Sequence, residues 1–212
     1  MKIRGKQIED VIKIDFIDHD GKFDENKNTN ELEVNYIIKK LQEFKEKEIK
    51  QSFGIITPHR EQVTLFFDKI NELPERDWLF GKCKLKIMTF DTCQGEERDY
   101  IFYSMVATKE KDHLNYVFPA IQQDETLQEI ALKGGKSGER AQRMNVGFSR
   151  AKECIHFVLS KPIEEFQGEI KNAMLHYQNE LKIGKKRIVK KLDSEMEYRI
   201  DEIFHNTKFY KE

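Results

Sequence analysis

Apolar residues recur along the chain in two rhythms, and the alternation between them outlines a sheet threaded through helices. Ile12, Ile14 and Phe16 alternate with polar neighbours, the period of an edge strand. Residues 18–30 are polar enough for a loop. Over residues 31–47 the spacing lengthens, and Leu32, Tyr36, Ile37, Leu41 and Phe44 fall on one side of a helix. Phe53-Gly54-Ile55-Ile56 is a short apolar run, as expected of a buried strand. Thr57-Pro58 then predicts a helix start, with the threonine as N-cap and the proline at the first helical position. That helix is expected to bury Val63, Phe66, Phe67 and Ile70. Further strands are expected over 85–90, 100–106 and 154–159, with mostly helical connections. Strands alternating with helices imply a mainly parallel sheet covered on both faces.

Two stretches fall outside this α/β unit of residues 1–165. Residues 108–142 are charged and contain Pro119 and Gly134-Gly135, which reads as an insertion with a helix over 125–132. After Pro162 a helix is expected to about Leu181, followed by a basic linker up to residue 192. Ser194-Glu195-Met196-Glu197 has the S-x-x-E pattern of a capping box, so residues 193–212 read as the start of a further element.

Composition narrows the partners. A length of 212 residues with 38% hydrophobic content is enough to bury a core. Lys+Arg 37 against Asp+Glu 38 gives a net charge of -1, so nucleic acid would have to be held by a local patch rather than by a bulk basic field. Cys83, Cys93 and Cys154 show no CxxC spacing, which argues against zinc and against a disulfide framework. A reducing, cytoplasmic compartment is the expectation. No apolar stretch approaches the ~20 residues of a membrane span.

The candidate chemistry lies in two segments. Residues 84–90 read as a strand that breaks into Asp91-Thr92-Cys93-Gln94-Gly95-Glu96-Glu97-Arg98-Asp99 and resumes as Tyr100-Ile101-Phe102-Tyr103. A compact polar loop with one glycine between buried strands presents backbone N–H groups and a carboxylate to a nucleotide. Arg143-Met144-Asn145-Val146-Gly147-Phe148-Ser149-Arg150-Ala151 then places two arginines a little under two helical turns apart, just ahead of an apolar strand. Together the segments resemble motifs V and VI of superfamily 1 helicases, in the 5′-to-3′ branch that includes the nonsense-mediated-decay and flap-processing helicases. The resemblance covers residues 12–163 and implies the second RecA-like domain of such an enzyme, a three-layer α/β sandwich.

What the resemblance implies can be set beside what the residue types can do. In motif V, Gln94, Gly95 and Glu97 are expected at the nucleotide, with Gly95 allowing close approach of the backbone and Glu97 accepting from a ribose hydroxyl. Thr89 and Thr92 are expected at the nucleic-acid backbone, since short hydroxyls suit phosphate oxygens. In motif VI, Arg150 corresponds to an arginine finger, a permanently charged planar group able to grip γ-phosphate oxygens. Arg143 is expected to couple the nucleotide to motif V. Ile55-Ile56-Thr57-Pro58-His59-Arg60 resembles motif IV, which puts Thr57, Pro58 and His59 on nucleic acid and Arg60, with Gln94, Gly95 and Glu97, at the nucleotide. His59 stands where the family commonly has an aromatic residue. Asn30-Glu31-Leu32-Glu33-Val34 is similar to the family's Asn-x-x-Glu-Ala helix start.

Gly134-Gly135-Lys136-Ser137 imitates the end of a P-loop, but Ile130 occupies the first glycine position and the preceding residues are helical in pattern. The resemblance therefore implies a half-site: ATP would lie against this domain and a first RecA-like domain carrying the P-loop lysine and Mg²⁺ ligands. The implied function is the C-terminal motor domain of an ATP-dependent helicase or translocase, with single-stranded nucleic acid, DNA by expectation, as its track. A RecA-like interaction module without catalysis, and a motor joined to a C-terminal nuclease, are the alternatives.

Overall fold

The computed structural model describes residues 2–3, 6–18, 28–120, 132 and 135–183. After a two-residue antiparallel pair, Lys2–Ile3 with Lys6–Gln7, and a single helical turn, Ile8–Val11, the chain builds five parallel strands. These are β1 (Ile12–Phe16), β2 (Phe53–Thr57), β3 (Lys86–Thr89), β4 (Arg98–Ser104) and β5 (Ala151–Leu159). Their order across the sheet is β1-β5-β4-β2-β3. The expected edge position of Ile12–Phe16 and the parallel sheet both hold.

Helices cover the two faces, and the strand residues sort between them with period two. On one face Phe53, Ile55, Tyr100, Phe102 and Val158 pack against α1 (Glu31–Glu46), α2 (Arg60–Asn71) and a π-helical turn, Trp78–Lys82. On the other, Ile56, Ile101, Tyr103, Phe157 and Leu159 meet α3 (Gly135–Phe148) and a helix over 169–183, α4. Because both faces are buried, the strands read as apolar runs rather than as alternating ones.

Several boundaries differ from expectation. Thr57 is the last residue of β2, paired with Thr89, and the helix starts at Arg60 with His59 as N-cap. Pro58 holds the residue before it extended, so the strand pairing continues where a cap was expected. Phe67 is 38% exposed and stacks on Phe80 instead of entering the core. Leu114, Val117 and Phe118, inside the expected insertion, are buried in the α3 face. The helix expected from Pro162 begins at 169, after Gly168, whose φ of 74° and close approach to the Pro119 carbonyl interrupt the chain. Ile170 and Met174 then join the same core cluster, so packing continues past residue 165. Residues 125–131 of the expected insertion helix, the basic segment 184–191 and the capping box at Ser194 lie outside the described residues.

A buried polar network closes the C-terminal end of β4 and β5. Asn30 caps α1 by accepting from the Glu33 N–H at 3.1 Å, and its amide donates to the Ser160 hydroxyl and the Val106 carbonyl. The Glu33 carboxylate accepts from Ser104 Oγ at 2.7 Å, Ser160 Oγ at 2.8 Å and the Val106 N–H at 2.9 Å. Gln62 links α2 to this group through the Asn30 backbone and Ser104. Val106 has φ 67°, a left-handed conformation that costs a β-branched residue roughly 1–3 kcal/mol. Its N–H and carbonyl are both held by network side chains, which is how that conformation is maintained.

Burial pushes the Glu33 carboxyl up to about 7, against the opposing pull of its hydrogen bonds. The folded protein therefore takes up a proton that the unfolded chain has already released between about pH 4.5 and 7. Stability from this group is full below the ordinary carboxyl value and falls as pH rises through 7, by on the order of 3 kcal/mol. Glu33→Gln, which stays neutral, should flatten this part of the profile in urea denaturation between pH 5 and 8. An unchanged slope would show that Glu33 does not titrate there.

Candidate nucleotide and nucleic-acid half-sites

The two chemistry-bearing segments meet because of how β3 and β4 are joined. The strands are parallel and β2 lies between them, so residues 90–97 must return along the sheet before β4 can begin. Thr57 and Thr89 mark the C-terminal end of β2 and β3, while Arg98 enters two residues before the level of Phe53. At ~3.3 Å per residue these ends are about 20 Å apart. The loop spans that distance on the α3 face, with Phe90 and Cys93 buried in the core there.

At the N-terminal end, Arg98 pairs with Ala151, but Tyr100 pairs with Cys154, so β5 carries one extra residue at the start of the ladder. Such bulges re-aim side chains, and this one sits beside Glu97 and Arg150. The Arg98 N–H donates to the Arg150 carbonyl at 3.2 Å, tying the end of motif V to the end of motif VI. The two adjacent glutamates have different fates. Glu96 is held by Lys86 and by Arg98, which keep its carboxyl below the ordinary range, Lys86 contributing most. Glu97 is exposed, with Lys152 at 3.7 Å, and is open to a ligand. Gly95 has φ 77°, a conformation that favours glycine, in the exposed turn with Gln94.

Arg150 is anchored at the C-terminus of α3. Its Nε donates to the Val146 carbonyl at 2.8 Å and one terminal nitrogen donates to Ser149 Oγ at 2.8 Å. A cation here complements the helix dipole, on a carbonyl that also accepts from Ser149. The guanidinium is thereby fixed in direction, with the other terminal nitrogen free of hydrogen bonds among the described residues. Arg143, within α3, pairs through Nε with the Asp91 carboxylate. It reaches motif V by way of Asp91, the first loop residue after Phe90.

At the C-terminal end the placement is different. Thr57 is fully buried, and its hydroxyl is the one buried side-chain polar atom without a hydrogen-bond partner among the described residues. Pro58 is buried and His59 half-buried; burial lowers the imidazole pKa to about 4, so His59 is neutral at physiological pH. No side chain caps α2, which leaves its first-turn N–H groups without a side-chain acceptor among the described residues. Thr89 is buried. Its N–H donates to Thr92 Oγ1 at 3.0 Å, and the two hydroxyls lie 3.2 Å apart, so an exposed Thr92 folds back onto the strand end. Arg60, expected beside the nucleotide groups, is exposed at the start of α2, at this end of the sheet and away from Glu97 and Arg150.

The Asn30–Glu33–Gln62 network and the Asp91–Arg143 pair escaped the sequence reading. The N-x-x-E spacing at the helix start was a signal for the first; nothing in spacing alone marks the second. Gly134 lies outside the described residues, while Gly135, Lys136 and Ser137 open α3.

A parallel sheet sandwiched between helices, with an arginine-bearing helix terminus and a glycine–glutamate loop meeting at one of its ends, defines a RecA-like α/β domain. The AAA_12 family model, an AAA domain, matches residues 4–162, and the chain belongs to this family of helicase-like P-loop NTPase domains. No curated protein matches the sequence. Among the described residues, no helix is long and apolar enough to cross a membrane.

Gly147 shows how closely the two motifs are packed. A Cβ there would collide with the Phe90 ring, which is itself wedged between Phe118 and Phe148. Overpacking costs about 1–3 kcal/mol, whereas alanine recovers at most about 1 kcal/mol of helix propensity. Gly147→Ala should therefore lower unfolding stability in urea by about 1–2 kcal/mol. A stabilised variant would mean that Phe90, and the loop behind it, moves freely.

Proposed function

We propose that this chain is the second RecA-like domain of a superfamily 1 helicase or translocase of the 5′-to-3′ branch, acting with a first RecA-like domain on single-stranded nucleic acid, DNA by preference. The observation that carries this reading is the division of labour along residues 89–97. Thr89 and Thr92 lie at the end of the sheet where α2 starts uncapped, and Gly95 and Glu97 lie at the end where Arg150 is fixed. An interaction module without catalysis would have no use for a fixed arginine and an open carboxylate at one end and free N–H groups at the other.

The nucleotide end fits half of an ATP site. ATP, with Mg²⁺ held by the partner domain, supplies the phosphoryl group whose transfer to water drives the motor. Arg150 stabilises charge developing on that group, and its bonds to Val146 and Ser149 orient it beforehand. Glu97 accepts from the sugar, with the exposed Gln94 and Gly95 turn beside it. Arg143, through Asp91, makes the position of the loop depend on the helix that carries the finger. At the other end, the first-turn N–H groups of α2 and the exposed Thr92 hydroxyl receive backbone phosphates, as free helix N-termini do. His59, neutral, contributes hydrogen bonding or stacking rather than charge. Contacts of this kind read the backbone, so sequence preference is slight.

In a protein containing both RecA-like domains, Arg150→Ala should lower kcat by roughly 10³-fold or more while single-strand affinity without nucleotide persists. Because Arg150 also caps α3, Arg150→Lys serves as a control: it keeps a cation at the helix end and should restore stability but not kcat. Thr92→Val should weaken single-strand binding by about 1 kcal/mol with ATP binding unchanged, and Glu97→Gln should do the reverse. If kcat falls less than about tenfold in Arg150→Ala, or if Thr92→Val and Glu97→Gln lose both ligands alike, the assignment fails.

A further inference from the structure

On the face opposite residues 90–97, a cleft of ≈ 430 Å³ opens between α1 and the β1 edge of the sheet, lined by Lys13, Asp15, Lys40, Lys47, Tyr100 and His156 among others. Its volume lies within the usual range for small-molecule sites, about 300–1,000 Å³. One wall is a hydrogen-bonded line through three strands and a helix. The Tyr100 hydroxyl lies 2.7 Å from His156 Nδ1, His156 Nε2 lies 2.7 Å from Asp15 Oδ2, and the Tyr36 hydroxyl donates to the same oxygen.

The protonation pattern along this line follows from burial and partners. His156 is 2% exposed, and burial lowers its pKa, so the ring is neutral at physiological pH. The Asp15 carboxyl is held down at about 2, chiefly by the bond from His156. Nε2 therefore carries the ring proton and donates to Asp15, and Nδ1 accepts from Tyr100. Both carboxylates of the cleft are thus engaged: Asp15 by two donors, Glu43 by Lys40 at 3.2 Å.

Lys13 and Lys47 form no ion pair among the described residues. Lys13 Nζ sits 5.9 Å from the centroid of the Tyr100 ring, and Phe44 meets that ring edge-on at 5.1 Å. The cleft thus sets the ammonium groups of Lys13, Lys40 and Lys47 against the carboxylates of Asp15 and Glu43 over an aromatic floor, so its net charge is positive although Asp15 stays ionised. We propose that this cleft binds a phosphate monoester of mononucleotide size, with Lys13 and Lys47 on the phosphate and Phe44 and Tyr100 against the sugar and base. It is a second site, separate from the half-site that contains Arg150, and does not depend on the helicase reading.

The test is calorimetric titration of the full 212-residue chain with AMP, ribose 5-phosphate and adenosine, followed in parallel by the imidazole NMR signals of His156. AMP should bind saturably and shift those signals, with ribose 5-phosphate weaker and adenosine weaker than AMP by about tenfold or more. Lys13→Gln combined with Lys47→Gln, both on the surface and harmless to folding, should weaken AMP by about tenfold or more. The proposal is overturned by an absence of saturable AMP binding at millimolar concentration, by adenosine binding as well as AMP, or by undiminished affinity in the lysine variant.

Discussion

A topological constraint governs this domain: β3 and β4 are parallel, β2 lies between them, and residues 90–97 alone must carry the chain back along the sheet. The loop lies on the face covered by α3, so it packs against the helix that leads to Arg150. Phe90 lodges against Gly147, Asp91 pairs with Arg143, and Arg98 bonds the Arg150 backbone as β4 starts. A helical crossover could have served the topology, but it would have separated the hydroxyl-bearing strand end from the glycine–glutamate turn. The short return puts both on one stretch of chain with few ways to move independently.

The opposite side of the design is rigidity around the strand ends. Asn30, Glu33, Gln62, Ser104 and Ser160 satisfy one another in the interior and hold Val106 in its left-handed conformation where the chain leaves β4. Buried polar groups are costly unless every partner is present. Here the cost appears in the raised pKa of Glu33, while the return is a fixed relation between α1, α2 and the C-terminal edge of the sheet. The uncapped start of α2 is held in that frame through Gln62, in the first turn of the helix.

What the sequence disclosed follows from what is local. Strands buried on both faces announce themselves as apolar runs, and the segments from Met88 to Asp99 and from Arg143 to Ala151 carry their chemistry in contiguous residues. Features that depend on residues far apart in the chain were hidden. Asn30 finds Ser160, and His156 finds Asp15, only once the sheet order is known. The Thr57-Pro58 cap failed because a local preference met a stronger nonlocal one, the pairing of Thr57 with Thr89. Arg60 was grouped with the nucleotide residues by motif membership, yet its helix begins at the other end of the sheet. Leu114, Val117 and Phe118 looked like part of a charged insertion because their neighbours are polar, although their own side chains are core.

In the proposed motor, residues 90–97 would transmit nucleotide state to the track through the Asp91–Arg143 pair. The direct measurement is single-strand affinity with and without a non-hydrolysable ATP analogue, in a protein containing both RecA-like domains, for the natural sequence and for Asp91→Asn. The account predicts a nucleotide-dependent change in the natural sequence, within the roughly 5–150-fold range typical of coupled sites. In Asp91→Asn that change should collapse to less than about twofold, while each ligand alone binds as before. An undiminished nucleotide effect in Asp91→Asn would contradict it.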